Sequence, residues 1–188
     1  MKATGIILAG GKSSRMKEYP KGLLTFNGDT FVNHIANELE KVTSEIIVNA
    51  NSHKYDHLGY QVVTDVMEEK GPLGGIYSAL QQSSNPLNIV VACDMPMVSA
   101  SFMQMLLENI QHFDAAIPKT GELLQPLYAC YNKSSLSKLQ DLINEDFLKL
   151  QQLPAKLNCN VITCSLKGAD QYLNINTPED YKKLTSEL

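Results

Sequence analysis

The sequence lacks the features of several common classes of protein. No stretch approaches the ~20 consecutive apolar residues of a membrane-spanning helix, and no signal-peptide pattern follows Met1. There is no internal repeat, low-complexity tract or interdomain linker. We therefore expect one cytoplasmic domain over residues 1–188, with no membrane association and a core that needs no disulfide.

An excess of positive charge is also missing. Sixteen lysines and arginines stand against 20 acidic residues, which gives a formal net charge of -4. Proteins that bind nucleic acid broadly present a basic face, so we expect no nucleic-acid partner. The hydrophobic content of 44% and the charged content of 19% are those of a globular protein.

Cysteine and histidine form no metal-binding pattern. None of the four cysteines belongs to a C-x-x-C pair, and Cys93 and Cys130 lie inside apolar runs. This favours buried thiols over a zinc site or a disulfide. His53 and His57 are four residues apart on a polar segment without the glutamate of a zincin, so we expect them at the surface.

Two common phosphate-loop patterns are absent. Gly11-Lys12-Ser13 matches the end of a Walker loop, but Ile6 stands where the first glycine is required. Gly10 and Gly11 are adjacent and lack the third glycine of G-x-G-x-x-G. The chain is therefore neither a P-loop kinase nor a recognisable NAD enzyme.

The N-terminal stretch does contain an apolar run that leads into a basic loop. Residues 5–9 are too few for a helix and rich in β-formers, which predicts a buried strand that breaks at Gly10-Gly11. Four cations follow within ten residues: Lys12, Arg15, Lys17 and Lys21. Glycines let backbone N–H groups approach phosphate oxygens, and cations neutralise them. The pattern favours a site for a small anion over an ordinary turn with a solvated basic surface.

Strand and helix patterns alternate along the rest of the chain. Strands are predicted at 45–50, 61–64, 88–93, 114–117, 125–131 and 160–164, with a short extended piece at 22–26. Helices are predicted at 30–42, 71–82 and 99–110, at 134–153 with breaks, and after a cap at Thr177-Pro178. The early strands are continuous apolar runs. This indicates a three-layer α/β fold whose mostly parallel, twisted sheet carries helices on both faces.

Polar residues follow the predicted strands directly. Ligand sites of such sheets lie beyond the carboxyl ends of the strands, where Gly10-Gly11, Asn49, Asp65 and Asp94 are found. Asp94 is well placed to coordinate Mg²⁺ between phosphate oxygens, with a turn or helix-cap aspartate as the alternative. Asp65 could accept hydrogen bonds from a base or sugar, serve as a second metal ligand, or only end its strand.

Five segments stand out in order along the chain: Leu8–Met16 with Lys21–Leu24, Gly71–Gly75, Cys93–Pro96, Gln125–Tyr128 and Asn174–Pro178. Together these segments resemble the signature of the molybdenum cofactor guanylyltransferase family, which consists of MobA-like nucleotidyltransferases with a Rossmann-like, glycosyltransferase-A-type fold. The first is shared with other nucleotidyltransferases, whereas its combination with the Asn-x-Asn-Thr-Pro end is more specific. Lys17 and Pro20 depart from the family's usual glycine and aspartate. We therefore expect the basic loop to take a different path, which weakens Arg15 and Lys17 as site residues more than Lys21.

The resemblance implies transfer of GMP from GTP to molybdenum-molybdopterin with release of pyrophosphate and with Mg²⁺ as cofactor. Molybdenum-insertion proteins and target molybdoenzymes are the protein partners it suggests. It implies that the nucleotide is bound by Leu8, Ala9, Gly10, Gly11, Lys21, Asn49, Asp65 and Asp94. Of these, Lys21 and Asp94 would act in catalysis with Arg15, and Asp94 would hold the metal. Asn174 and Asn176 would lie on the pterin side.

Three other functions remain open at this point. A cytidylyltransferase for the same cofactor and a sugar-phosphate nucleotidyltransferase share the opening motif, although the chain is short for a sugar enzyme. A non-catalytic module that stores or delivers the cofactor would need no metal-binding carboxylate.

Overall fold

A computed structural model describes residues 2–10, 20–165 and 172–186 of the chain, so the predictions for Gly11 and Arg15 lie outside the described residues. The strands are β1 (Ala3–Leu8), β2 (Thr25–Phe26), β3 (Asp29–Thr30), β4 (Glu45–Asn49), β5 (Gln61–Val63), β6 (Leu87–Ala92), β7 (Ala115–Thr120), β8 (Leu123–Leu124), β9 (Tyr128–Asn132) and β10 (Cys159–Cys164). The central sheet has the strand order β10-β7-β9-β6-β1-β4-β5, with β8 paired to β7, and β2 and β3 form a separate hairpin.

Most strands of the sheet run in one direction. β1 is parallel to both β4 and β6, β4 is parallel to β5, and β7 is parallel to β10. β9 is antiparallel to both β6 and β7, which gives β6 and β7 the same direction. All six residues of β1 and all six of β6 are buried, as expected for central strands that are covered on both faces.

Helices cover both faces of this sheet. They are α1 (Phe31–Leu39), α2 (Gly71–Gln82), α3 (Ala100–Asn109), α4 (Leu136–Asn144) and α5 (Pro178–Ser186). Ile7 packs with residues of α1 and α3, whereas its neighbour Ile6 packs with residues of α2 and α4, because successive strand side chains point to opposite faces. α5 joins a third cluster with Phe26, Phe31 and Ile175. The predicted three-layer α/β fold is confirmed. The longest helix of the described ranges, α2, has 12 residues, and none there could cross a membrane.

Three predicted elements are shorter than expected. The segment predicted to be helical with breaks at 134–153 contains one α-helix, Leu136–Asn144, which ends before Asp146, whose φ is +55°. Short 3₁₀ helices lie on either side of it at Lys133–Ser135 and Leu150–Ala155. The strand predicted at 125–131 starts only at Tyr128 because Pro126 cannot donate to a ladder, and Gln125 instead accepts from Tyr128 N in a turn. The helix predicted to reach residue 42 ends at Leu39.

Glu45 connects three segments at the amino edge of the sheet. Its carboxylate accepts hydrogen bonds from Thr4 Oγ1 at 2.5 Å, Ser84 N at 2.9 Å and Ser84 Oγ at 2.8 Å. Burial raises the pKa of Glu45, but the hydrogen bonds from Thr4 and Ser84 outweigh this, and the net pKa lies below 4.5. The ionised carboxylate therefore stabilises the fold above pH 4.5, and this contribution is lost as the pH falls through the lowered pKa.

We expect Glu45→Ala to lower the free energy of unfolding by about 1–3 kcal/mol at pH 7, because Thr4 and Ser84 lose a charged acceptor. Ligand binding at the opposite, carboxyl edge should not change. Urea denaturation at pH 7 and at pH 3.5 measures the effect. If the variant and the wild type differ in free energy of unfolding by as much at pH 3.5 as at pH 7, the role of the ionised carboxylate is contradicted.

Candidate active site

The ends of three neighbouring strands form one continuous edge. Leu8 of β1 is in register with Asn49 of β4 and with Ala92 of β6. Backbone hydrogen bonds continue past the strands, from Ala9 N to Asn49 O at 2.8 Å and from Cys93 N to Leu8 O at 3.0 Å. The three chain segments therefore leave the sheet side by side, and Gly10 follows in an exposed position.

Lys21, Asp94 and Asn176, here called the lysine cluster, meet at this edge. Lys21 Nζ donates to Asp94 Oδ2 at 3.1 Å and to Asn176 Oδ1 at 2.7 Å. The side chains of Lys21 and Asp94 are 19% and 17% exposed, so the ion pair is largely shielded but remains accessible to a ligand. An ammonium group has three N–H donors, and among the described residues two of them have these acceptors.

Lys21 is positioned by a tight turn rather than by the extended piece that we predicted at 22–26. Lys21–Leu23 is a short 3₁₀ helix, and only Thr25–Phe26 is a strand. The reason is the close packing of Gly22, where a Cβ atom would lie 2.7 Å from Val32 Cγ2 and 3.1 Å from the Tyr55 hydroxyl. Only glycine allows the turn to approach α1 this closely.

Asp94 is held by backbone contacts on both sides. Met95 N donates to Ala92 O at 3.1 Å, and Ile175 N donates to Asp94 O at 2.8 Å.

Further along the same loop, the Tyr128 hydroxyl accepts from Ser99 N at 3.0 Å and donates to Ser99 O at 3.2 Å. Burial raises the pKa of Tyr128 well above its usual value of 10. The hydroxyl therefore stays neutral at physiological pH and can both donate and accept a hydrogen bond.

Asn49, Asn51 and Asp65, the amide–carboxylate network, lie at the other end of this edge. Asn49 Nδ2 donates to Asp65 Oδ1 and Asn51 Nδ2 to Asp65 Oδ2, both at 2.9 Å, and Asp65 N donates back to Asn51 Oδ1 at 2.9 Å. Asn49 is 2% exposed. Each carboxylate oxygen has two lone pairs, so the fixed Asp65 can still accept hydrogen bonds from a ligand. We did not select Asn51 from the sequence, although it is an amide two residues after Asn49.

The strand order disfavours a metal site shared by Asp65 and Asp94. Asp65 follows β5 and Asp94 follows β6, three strand spacings apart, which is roughly 14 Å. No cluster of three or more His, Cys, Asp or Glu side chains suited to a metal is found in the described part of the chain. Mg²⁺ at phosphoryl-transfer sites is often held by one or two carboxylates, with phosphates and water as the other ligands. Asp94 alone fits that mode, so Asp94 remains the candidate metal ligand, and the role of Asp65 as a second ligand stays a prediction that this separation disfavours.

The other residues named from the sequence differ in their exposure to solvent. Leu8 is buried, Ala9 is half-buried, and Asn174 is exposed, where its pterin-side role stays a prediction. Cys93 and Cys130 are free and buried as predicted, and burial raises the pKa of each to about 12. Cys159 and Cys164 are also free but only half-buried. His53 and His57 lie at the surface as predicted.

A mostly parallel sheet covered by helices, with a lysine, carboxylates and amides at its carboxyl edge, defines a Rossmann-like α/β protein, whose ligand site lies at that edge. The family profile described as the MobA-like NTP transferase domain matches residues 5–157. The chain belongs to this family and is a nucleotidyltransferase, which confirms the resemblance seen in its motifs.

Individual relatives match over nearly their whole length. The chain is 32% identical over 186 residues to a probable molybdenum cofactor guanylyltransferase of Flavobacterium johnsoniae, covering 98% of this chain and 97% of the relative. It is 34% identical over 191 residues to a protein of the same description from Clostridium perfringens, covering 98% and 96%. The crystal structure of molybdopterin-guanine dinucleotide biosynthesis protein A from Archaeoglobus fulgidus superimposes with a TM-score of 0.80 at 23% identity, covering 98% and 97%, which shows a common fold.

Gly75 provides a test of the amide–carboxylate network. A Cβ atom at Gly75 would lie 2.6 Å from Asn49 Oδ1 and 3.4 Å from Leu8 Cδ2. Gly75→Ala should therefore displace the Asn49 amide from Asp65 and weaken nucleotide binding about 10-fold or more, the effect of losing one hydrogen bond to a charged group. Calorimetric titration with GTP measures this effect.

Gly74→Ala is the matched control for this prediction. It adds the same methyl group to the same turn of α2, but its Cβ atom would meet Lys70 Cβ at 2.9 Å instead of Asn49. Its nucleotide affinity should stay close to that of the wild type. Equal losses of affinity in the two variants would show that disturbance of α2, and not of Asn49, is responsible.

Proposed function

We propose that the protein transfers GMP from GTP to molybdopterin that carries molybdenum, giving the guanine dinucleotide form of the cofactor and pyrophosphate. The full-length relatives described as molybdenum cofactor guanylyltransferases support this substrate pair. The observation that carries the proposal is the lysine cluster. It places one cation, one carboxylate and one amide together at the edge where Gly10 leaves β1.

The proposed reaction needs no nucleophile from the protein. An oxygen of the pterin's terminal phosphate attacks the α-phosphorus of GTP and forms a new P–O bond. The bond from the α-phosphorus to the bridging oxygen breaks, and pyrophosphate leaves with that electron pair. Positioning of the two substrates and neutralisation of phosphate charge account for catalysis of this kind.

In this proposal Lys21 binds the triphosphate and Asp94 binds the metal ion. Lys21 donates to the triphosphate oxygens and neutralises the charge that develops on the leaving group, with backbone N–H groups near Gly10 as further donors. Asp94 would hold Mg²⁺, which when bound screens the phosphates and orients the leaving group. We propose supporting roles for Gly11 in the phosphate loop and for Arg15 as a second cation.

The amide–carboxylate network supports guanine as the base. Guanine presents two adjacent donors, N1–H and the N2 amino group, to which a carboxylate with free lone pairs is complementary. Cytosine offers one amino donor beside two acceptors, which a carboxylate would repel. A site that presents buried or fixed acceptors discriminates strongly against a base that lacks the matching donors.

Pyrophosphate release tests the proposal and its alternatives together. Each of the four nucleoside triphosphates is incubated with Mg²⁺, with and without molybdenum-molybdopterin. We expect release only with GTP and only when the acceptor is present. Release with CTP alone would identify a cytidylyltransferase, and release with a hexose phosphate as acceptor would identify a sugar enzyme. GTP or cofactor binding without release would identify a carrier module.

A further inference from the structure

The C-terminal segment beyond the matched residues 5–157 completes the candidate site. Ile175 is fully buried against Phe26, Phe31 and Leu184. Its backbone N–H donates to Asp94 O at 2.8 Å. The segment is thus fixed by an apolar anchor on one side and by the main chain at Asp94 on the other, and Asn176 follows directly.

A capping box at the start of α5 holds the backbone at Asn176. Thr177 Oγ1 accepts from Asp180 N at 3.1 Å, and Asp180 Oδ2 accepts from Thr177 N at 2.9 Å. These two bonds make the usual reciprocal box. Asp180 Oδ2 also accepts from Asn176 N at 3.0 Å, one residue before the cap, so the same oxygen fixes the residue that contacts Lys21.

Asn176 in turn fixes the direction of the Lys21 side chain. Its Oδ1 lies 2.7 Å from Lys21 Nζ, shorter than the 3.1 Å contact between Lys21 Nζ and Asp94 Oδ2. A lysine side chain has four rotatable bonds and loses much conformational freedom when it is held in one place. Because its backbone is fixed by Asp180, Asn176 holds the Lys21 ammonium group in one position before the ligand binds.

We propose that Asp180 is a positioning residue for Lys21, acting through Asn176, and that Asn176 belongs to the phosphate side of the site. The inference rests on the proposed role of Lys21 at the triphosphate. It revises the expectation from the motif, which placed Asn176 with the pterin. The C-terminal helix thereby serves GTP binding although it lies more than 150 residues from Lys21 in sequence.

The structure supplies variants that separate positioning from helix stability. Both N–H groups donate to a single oxygen of Asp180, so the amide oxygen of Asp180→Asn can replace it, whereas Asp180→Ala removes the acceptor. Thr177→Ala removes the other half of the capping box and destabilises the same helix end. It leaves the bond from Asn176 N to Asp180 in place, which makes it the matched control.

Calorimetric titration of each variant with GTP and Mg²⁺ provides the test, with thermal unfolding measured in parallel. We expect Asp180→Ala to weaken GTP binding about 10-fold, whereas Asp180→Asn and Thr177→Ala should stay within about threefold of the wild type, because coupled neighbours show effects of this size. In an Asn176→Ala background, Asp180→Ala should cause no further loss, because its effect passes through Asn176.

Two results would overturn the inference. One is an equal loss of GTP affinity in Thr177→Ala and Asp180→Ala at equal loss of thermal stability. The other is an undiminished effect of Asp180→Ala in the Asn176→Ala background. Lys21→Ala distinguishes this failure from a failure of the proposed function. If Lys21→Ala binds GTP as tightly as the wild type, the triphosphate role of Lys21 and the inference both fall. If Lys21→Ala binds weakly and Asp180→Ala binds normally, only the inference falls.

Discussion

Asp94→Asn should lower GTP turnover by about 10²–10³-fold while the protein remains folded, the loss typical when one electrostatic contributor to the transition state is removed. The substitution keeps the size of a side chain that is 17% exposed and leaves the backbone contact from Ile175 N in place. It removes the charge that would hold Mg²⁺ and that now pairs with Lys21. Steady-state pyrophosphate release measures turnover, and circular dichroism confirms the fold.

Glu122→Gln is the matched control for Asp94→Asn. It also neutralises the acidic partner of a lysine, Lys119 at 3.0 Å, but this pair belongs to the β7–β8 hairpin and Glu122 is exposed. Exposed ion pairs contribute little, so turnover should match that of the wild type. Full activity in Asp94→Asn would remove the metal role from Asp94.

Lys21→Ala should have two effects of opposite direction. Turnover of GTP should fall by about 10²–10³-fold because the triphosphate loses its cation. Binding of Mn²⁺, used as a probe without nucleotide, should become roughly fivefold tighter, because an ammonium group close to Asp94 repels a second cation by about 1 kcal/mol even in water. Proton relaxation of Mn²⁺ solutions measures the second effect independently of turnover.

The two effects together separate a role at the site from general destabilisation. Lys138→Ala is the control, because it breaks a similar pair with Asp114 at 2.7 Å at the amino end of β7, away from the candidate site. Neither GTP turnover nor Mn²⁺ binding should change in this control. Unchanged Mn²⁺ binding in Lys21→Ala would show that Lys21 and the metal do not share Asp94.

The sheet was predictable from sequence because burial on both faces leaves a local signal. β1 and β6 are buried at every position, and their continuous apolar runs marked them as central strands. The helix predicted at 71–82 has the observed bounds because glycine and proline mark its start. The error at 125–131 arose because an apolar run was extended across Pro126, and the antiparallel direction of β9 depends on pairing that no local pattern records.

The strand pattern by itself indicates only those candidate site residues that follow strands, whereas Lys21 and Asn176 were named through the family resemblance. Asn49, Asp65 and Asp94 could be selected because the ends of parallel strands meet at one edge. The contact of Lys21 with Asn176 could not, because it depends on how α5 packs against Phe26 and Phe31. The pairing of Asn51 with Asp65 likewise depends on the register between β4 and β5.

Tracing the α-phosphorus of GTP tests the central proposal most directly. GTP labelled at that phosphorus is incubated with the wild-type protein, Mg²⁺ and molybdenum-molybdopterin, and the products are separated. The proposal predicts that all transferred label appears in the pterin dinucleotide, one equivalent for each pyrophosphate released, with none on the protein. Pyrophosphate release accompanied by label that appears as free GMP, or that is covalently attached to the protein, would contradict direct transfer at this site.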